Sequence, residues 1–215
     1  MLNDALSAAK VAEFLLDIGA VKLNPEHPFS WASGWKSPIY CDNRKTLAFP
    51  EVRDYLKKAM VSGVQRHFPE TEMVIGVATG GIALGALVAD EMGLPYGYVR
   101  SKAKGHGMQN RVEGADVSGK RVVVIEDLIS TAGSSLSAIA ALHESGASIQ
   151  GMMAIFTYGF ELSKERLTEA EVPYRTLSDY STLLDVGLLK GSIDTDQKEL
   201  LESWREQPET WNVAV

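Results

Sequence analysis

Val122-Val123-Val124-Ile125-Glu126-Asp127-Leu128-Ile129-Ser130-Thr131-Ala132-Gly133-Ser134-Ser135 joins an apolar β-branched run, an acidic pair and a loop of small and hydroxyl residues. The run at 121–125 reads as a strand covered on both faces, which is how strands of a parallel sheet look. Ligands of such sheets sit beyond the carboxyl ends of the strands, where this reading puts Glu126 and Asp127. Ser130, Thr131, Ala132, Gly133 and Ser134 then bring three hydroxyls and a glycine into five residues, ahead of a helix expected over 135–144. Small residues let main-chain N–H groups turn inward, and the helix start adds the positive end of its dipole, so the loop suits a phosphate monoester. The neighbouring carboxylates would accept hydrogen bonds from sugar hydroxyls. The alternative is a strand end whose acidic pair is simply solvated. Nucleoside triphosphate and dinucleotide sites are disfavoured, because no G-x-x-x-x-G-K-[ST] occurs and Gly80-Gly81 with Gly85 does not spell G-x-G-x-x-G.

On either side the chain alternates. Strands are expected at 73–78, 95–99, 121–125 and 149–156, and helices at 82–92 and 135–144, with Gly93-Leu94-Pro95 and Gly146-Ala147 as helix stops. Repeated βα order predicts an α/β fold around a mostly parallel sheet with right-handed crossovers. A helix over 3–18 should stop at Gly19, and another should follow Pro50, where a missing N–H is harmless, and end near 67–69. Past Phe160 helical patterns lie at 163–170 and 196–205, the second opened by Asp194 and Gln197 at capping-box spacing. Trp204, Trp211 and the Met152-Met153 pair read as packing rather than as a ligand box.

A chain of 215 residues with 45% apolar and 23% charged residues fits one globular domain spanning 1–215 with a sizeable core. Its net charge of −7 argues against nucleic-acid or anionic-membrane partners. Arg100, Lys102, Lys104 and His106 stand out against that acidic background, and Gly105 and Gly107 give their segment the backbone freedom of a closing lid. The other reading is a solvated loop. One cysteine, Cys41, allows no intrachain disulfide, lacks a local His partner and reads as structural. With no apolar run of membrane length and no signal-peptide pattern at the N-terminus, a cytoplasmic protein is expected.

The segment from Val122 to Ser135 resembles the phosphoribosyl-pyrophosphate (PRPP) motif of the type I phosphoribosyltransferase family, and the likeness extends over roughly the whole chain. It includes Phe29-Ser30, Ser33-Gly34-Trp35-Lys36-Ser37-Pro38, the turn at 76–82, and Arg100 with Lys104 and His106 spaced as in the catalytic loop of the orotate-using members. The resemblance implies the type I fold, with a small N-terminal hood at about 20–45 over the base. It implies Mg²⁺-dependent transfer of phosphoribosyl from PRPP to N1 of orotate, giving orotidine monophosphate and pyrophosphate in pyrimidine biosynthesis. Lys104, His106 and Asp127 would be catalytic. Arg100, Lys104 and His106 would bind pyrophosphate, Glu126 and Asp127 the ribose hydroxyls, and residues 128–134 (Leu128, Ile129, Ser130, Thr131, Ala132, Gly133, Ser134) the rest of PRPP, with the 5′-phosphate on 130–134. Ser130 would also touch orotate. Mg²⁺ would ride on substrate oxygens without a dedicated protein cage, and a homodimer would share its active sites.

Several positions depart from the pattern. Gly80, Ala32 and Ser101 stand where many orotate-using members have lysine, so Lys36 or Lys102 would supply charge instead. Ala132 occupies a frequent glycine position and must reach the same backbone geometry. Tyr158-Gly159 falls where an arginine facing the orotate carboxylate is expected, and main-chain amides at 39–41 would take over. A phosphoribosyltransferase for another nucleobase, or a non-catalytic regulator sensing PRPP, would share the motif at 126–135. The Arg100, Lys104 and His106 spacing and the hood segment count against the first, and the lack of a basic domain against the second.

Overall fold

The computed structural model describes residues 4–31, 34–100 and 111–211. Helix α1 (Ala5–Asp17) is capped by Asp4, whose carboxylate accepts from the Ser7 amide. Four short strands follow, β1 (Val21–Leu23), β2 (Phe29–Ser30), β3 (Lys36–Ser37) and β4 (Ile39–Cys41), and pair antiparallel as β1 with β4 and β2 with β3. A 3-10 helix, Asn43–Ala48, leads into α2 (Pro50–His67), which begins at its proline as expected. Then come β5 (Met73–Val77), α3 (Gly80–Met92), β6 (Tyr96–Val99), β7 (Val112–Glu113), β8 (Arg121–Ile129), α4 (Gly133–Glu144), β9 (Ser148–Thr157), α5 (Glu161–Glu169), β10 (Tyr174–Asp179), α6 (Tyr180–Leu189) and α7 (Thr195–Glu206).

The main sheet has the order β10-β9-β8-β5-β6-β7, parallel throughout except for the β6–β7 pair. Its central strands are buried on both faces: every residue of β5 is buried, as are Val122 to Ile125 of β8. Two apolar layers result. Leu15, Met60, Tyr180 and Trp204 belong to one, and Val124, Leu142, Met152 and Leu167 to the other. Met153 and Trp204 are fully buried and Trp211 packs against the first layer, so these residues serve packing.

The short hood strands, the 3-10 helix and β7 were not expected as regular elements, and of the longer elements β10 and α6 were not anticipated from the sequence. The strand Tyr-Arg-Thr-Leu-Ser-Asp lacks a β-branched run, and its polar Thr176 and Ser178 are buried on a sheet edge that α1 covers. There Ser178 Oγ donates to the Ala8 carbonyl at 2.9 Å. Elsewhere the expected elements appear within a few residues, and the Asp194–Gln197 capping box is formed reciprocally.

The main difference lies in β8, which continues four residues beyond Ile125. Its register explains how Asp127 remains accessible to a ligand while lying inside a strand. Toward β9 the pairing continues to Ile129, opposite Thr157, whereas toward β5 it ends at Ile125, opposite Gly76. One edge of β8 is therefore left open from Glu126 onward. Because α3 carries the chain from β5 to β6 and α4 carries it from β8 to β9 in the opposite direction, this opening is the topological switch point of the sheet.

Candidate active site

At the switch point lies a cavity of about 280 Å³ lined by Ala78 to Gly80 after β5 and by Glu126 to Leu128 and Ser130 to Ser134 on β8 and its loop. Two helices begin on it. Neither α3, with Thr79 at its N-cap, nor α4, with Ala132, has a side-chain capping hydrogen bond. Their first N–H groups therefore lack side-chain caps beside the cavity, where each helix start also contributes positive dipole. Two anionic groups can be accepted, one at each end of the cavity.

The loop geometry is specific. Ala132 is left-handed at φ 62°, the glycine-like conformation that its position demands, at a cost of roughly 1–2 kcal/mol for a residue with a Cβ. Arg166 of α5 donates from Nη1 to the Thr131 carbonyl at 3.0 Å, holding the loop from behind. Opposite, Gly80 sits so close to Asp127 that a Cβ there would fall on the carboxylate, and a Cβ on Gly81 would meet the Ile125 carbonyl. These two glycines let the start of α3 approach β8, and at position 80 the Asp127 carboxylate occupies the space that a side chain would take. The Ala78–Thr79 peptide is cis.

The two carboxylates differ in setting. Glu126 is 3% exposed; its Oε2 accepts from Ser135 Oγ at 2.9 Å and its Oε1 from the Asp127 amide at 3.1 Å. Burial first, and then the adjacent Asp127 charge, push its carboxyl well above the usual carboxylate range. Glu126 thus braces β8 against the start of α4, and Asp127 is the more accessible member of the pair. Asp127 is held in turn through its carbonyl, which accepts from Asn43 Nδ2 at 2.6 Å. The sequence reading did not single out Asn43, and its position after Cys41-Asp42 carried no signal beyond a turn.

A second cavity of about 400 Å³ opens beside the first, lined by Ser30, Trp31, Tyr40, Cys41, Leu128, Ser130 and Tyr158. Ser130 and Leu128 line both cavities. The walls suit a flat, partly polar ring. Tyr158, at the position where an arginine was sought, is 2% exposed, with its ring 5.2 Å from Trp31, 5.4 Å from Phe160 and 5.8 Å from Trp204. Burial raises its hydroxyl above the usual range. No basic side chain among the described residues lines this cavity. Of the amides expected to replace the arginine, that of Ile39 is taken by Ser37 Oγ at 3.3 Å, while Tyr40 and Cys41 line the cavity. The Cys41 thiol donates to Asn43 Oδ1 at 3.2 Å and is pushed up by burial, in keeping with a structural role.

Not every expected residue meets the cavities. Ile129 turns its side chain into the core; its carbonyl accepts from the Tyr158 amide at 3.1 Å and from Thr157 Oγ1 at 3.2 Å. Arg100 lies apart, its guanidinium 3.5 Å from Glu113, against a small cavity that it shares with Ala78 and Ser134. Lys104 and His106, with Ala32, Ser33, Ser101 and Lys102, lie outside the described residues. Among those described, no group of three or more His, Cys, Asp and Glu is set to hold a metal ion.

The phosphoribosyl transferase domain family matches residues 48–177. The chain is 52% identical over 200 residues to the orotate phosphoribosyltransferase of Bacillus subtilis, covering 93% of each chain. It is 48% identical over 203 residues to that of Porphyromonas gingivalis, covering 94% of this chain and 97% of the relative. Among solved structures, the orotate phosphoribosyltransferase from Aeropyrum pernix aligns with a TM-score of 0.73 at 30% identity, over 81% of this chain and 96% of that one. The Leishmania donovani UMP synthase aligns with a TM-score of 0.79 at 23% identity, over 93% of this chain and 42% of its own, which bears on the fold alone.

Proposed function

The chain belongs to the phosphoribosyltransferase family and, within it, to the orotate phosphoribosyltransferases, and on that premise we propose how its residues divide the work. The reaction joins the phosphoribosyl group of PRPP to orotate and releases pyrophosphate, a step of pyrimidine biosynthesis. Negative charge grows on the departing pyrophosphate as the C1–O bond breaks, while the ribose turns oxocarbenium-like and positive. A preorganised site answers each charge with its opposite.

The cavity at the switch point takes PRPP. Ser130 to Ser134 and the start of α4 hold the 5′-phosphate, and Thr79-Gly80 at the start of α3 meets the pyrophosphate. Asp127 accepts from the ribose hydroxyls and faces the growing positive charge. Glu126 orients Asp127 and Ser135 from beneath. The base lies between the aromatic walls of the neighbouring cavity with Ser130 at the junction, and the hood at about 20–45 covers it. Arg100, Lys104 and His106 supply positive charge to the pyrophosphate. In a homodimer they reach the partner's cavity.

The donor set suits Mg²⁺, since a hard ion that keeps its waters needs few protein ligands, and the acidic pair lies beside the space for the substrate's oxygens. When bound, the ion neutralises charge on the pyrophosphate. No helix among the described residues is long and apolar enough to cross a membrane, and we assign the reaction to the cytoplasm.

The observation that carries this reading is the pair of helix starts without side-chain caps facing one cavity beside Asp127. The test is loss of orotate ultraviolet absorbance on adding PRPP and Mg²⁺, with adenine, guanine, hypoxanthine and uracil followed by pyrophosphate release. Turnover with orotate alone is expected. Turnover with another base would keep the donor site and overturn the acceptor, and silence with every base would overturn the catalytic reading.

A further inference from the structure

The largest cavity among those described, about 710 Å³, lies outside the site above. It runs from the carboxyl end of β9 along β10, the edge strand of the sheet, bounded by Thr157 to Gly159, by Lys164 and Thr168 of α5, by Val172 to Thr176 at the start of β10, by the join of β10 and α6, and by Arg205 of α7. Its volume is within the range of small-molecule sites, and its walls at Thr157 to Gly159 and at Asp179 to Ser181 lie at the carboxyl ends of parallel strands, where such sheets bind ligands.

The charge of its lining is opposite to that of the chain. Lys164, Arg175 and Arg205 face a single carboxylate, Asp179, in a protein of net charge −7. Asp179 is already engaged: its Oδ1 accepts from the Thr182 amide at 2.9 Å as the cap of α6. Lys164 has a carboxylate partner in Glu161 at 2.9 Å, but the guanidiniums have none among the described residues. Arg205 donates to Ser181 Oγ at 2.6 Å and lies over the Tyr180 ring at 5.6 Å, and Arg175 donates to the Tyr174 carbonyl at 2.8 Å. Their charge is therefore left for an anion, and a guanidinium matches phosphate in shape as well as sign.

An independent observation comes from Thr176, which also lines the cavity. It is 1% exposed, and its Oγ1 is the one buried side-chain N or O atom without a hydrogen-bond partner among the described residues. A buried hydroxyl left unpaired is unfavourable, and native structures rarely keep one without a reason. A ligand oxygen in the cavity would satisfy it.

We propose that this cavity is a second ligand site, for a phosphate monoester no larger than a mononucleotide, held by Arg175 and Arg205 with Thr176 Oγ1 as a further contact. It adjoins the base cavity through Tyr158, which lines both. Thr157 and Tyr158 are hydrogen-bonded to the carbonyl of Ile129, one residue before Ser130. An occupant thus bears on both Tyr158 and Ser130, and its expected kinetic effect is on the KM for the base.

The test is calorimetric titration of the whole protein with inorganic phosphate, uridine 5′-monophosphate and uridine, repeated on Arg205→Gln and Thr176→Val, with PRPP binding measured on each. A phosphate-bearing ligand is expected to bind in an event that Arg205→Gln weakens about tenfold or more, as loss of a charge-assisted contact implies, while PRPP binding is unchanged. Thr176→Val, nearly isosteric, should weaken the same event and melt no lower than the parent, since it removes an unpaired hydroxyl. The relative strength of phosphate and nucleotide then separates a free-phosphate site from a nucleotide site. Absence of binding at millimolar ligand, binding that both variants leave unchanged, or uridine binding as tight as its monophosphate would each overturn the proposal. The PRPP titration reports on the active site alone, so failure of one reading is distinguished from failure of the other.

Discussion

Asn43 Nδ2 donates to the main-chain carbonyl of Asp127 at 2.6 Å, across 84 residues of sequence. The 3-10 helix behind the hood is thereby fastened to the strand at its acidic pair. Asn43 is 1% exposed and is held by two further bonds, from the Cys41 thiol and from Thr46 Oγ1. Asn43→Ala leaves a carbonyl in a closely packed setting without its donor, which costs about 1–3 kcal/mol. A lower urea midpoint and a reduced kcat/KM are expected together, because Asp127 loses its anchor. Unchanged unfolding would show that the bond contributes nothing net.

Glu126 sets a pH dependence whose sign follows from its burial. Burial and the Asp127 charge raise its carboxyl well above 4.5 in the folded chain, so the native state holds a proton more tightly than the unfolded state does. The stability it contributes is complete below the ordinary value and is lost as pH rises through the raised one. Urea unfolding of the wild type should therefore show stability falling across that window, and Glu126→Gln, which needs no proton to stay neutral, should show a shallower fall. Parallel pH profiles for the two proteins would remove Glu126 as the cause.

Gly80 and Asp127 lie so close that no Cβ fits between them. Gly80→Lys would restore the side chain that many orotate-using members carry here, yet in this chain it must displace the Asp127 carboxylate. A displacement of about 1 Å at such a group can cost on the order of 100-fold in rate, so kcat/KM should fall rather than rise. Gly80→Ala should show most of the same loss, since the clash begins at Cβ. Full activity in Gly80→Ala would mean that Asp127 has another workable position.

The main sheet and its order of elements were legible because β5 and the first half of β8 are apolar runs and the intervening helices are periodic. The continuation of β8 to Ile129 was not, since two carboxylates within a strand contradict local propensity; only the early end of the β5 pairing allows them there. β10 was illegible for the same reason: its polar Thr176 and Ser178 are buried by tertiary packing, Ser178 against α1, and not by their own pattern. At the candidate site, the turn at 130–134 between β8 and α4 could be read from residue type alone, including the glycine-like backbone of Ala132. The supports of that loop could not. Arg166 and Asn43 act through main-chain carbonyls distant in sequence, and no spacing rule announces such bonds. Tyr158 shows the converse, where an expected arginine gives way to a ring whose aromatic neighbours leave no room for an unpaired charge.

If active sites are shared between subunits, two residues that one chain carries act in different sites, Asp127 in its own cavity and Lys104, on the segment after Arg100, in the partner's. A positive group placed for the developing pyrophosphate charge is worth about 100- to 1,000-fold in rate, so Lys104→Ala should lower kcat by that order while changing the KM for PRPP much less. A change confined to KM would leave Lys104 as a binding residue. Asp127→Ala should be similarly impaired, through the ribose. If the lysine of one subunit serves the cavity of the other, a heterodimer of the two variants has one cavity with both residues intact and one with neither. Mixing the two inactive proteins should then restore, for the heterodimers formed, up to half the activity of the same number of wild-type dimers. No recovery, with heterodimers demonstrated by mass, would mean that each chain completes its own site. In that case the Arg100–Glu113 contact would have to open within the same subunit for Arg100 to reach the pyrophosphate.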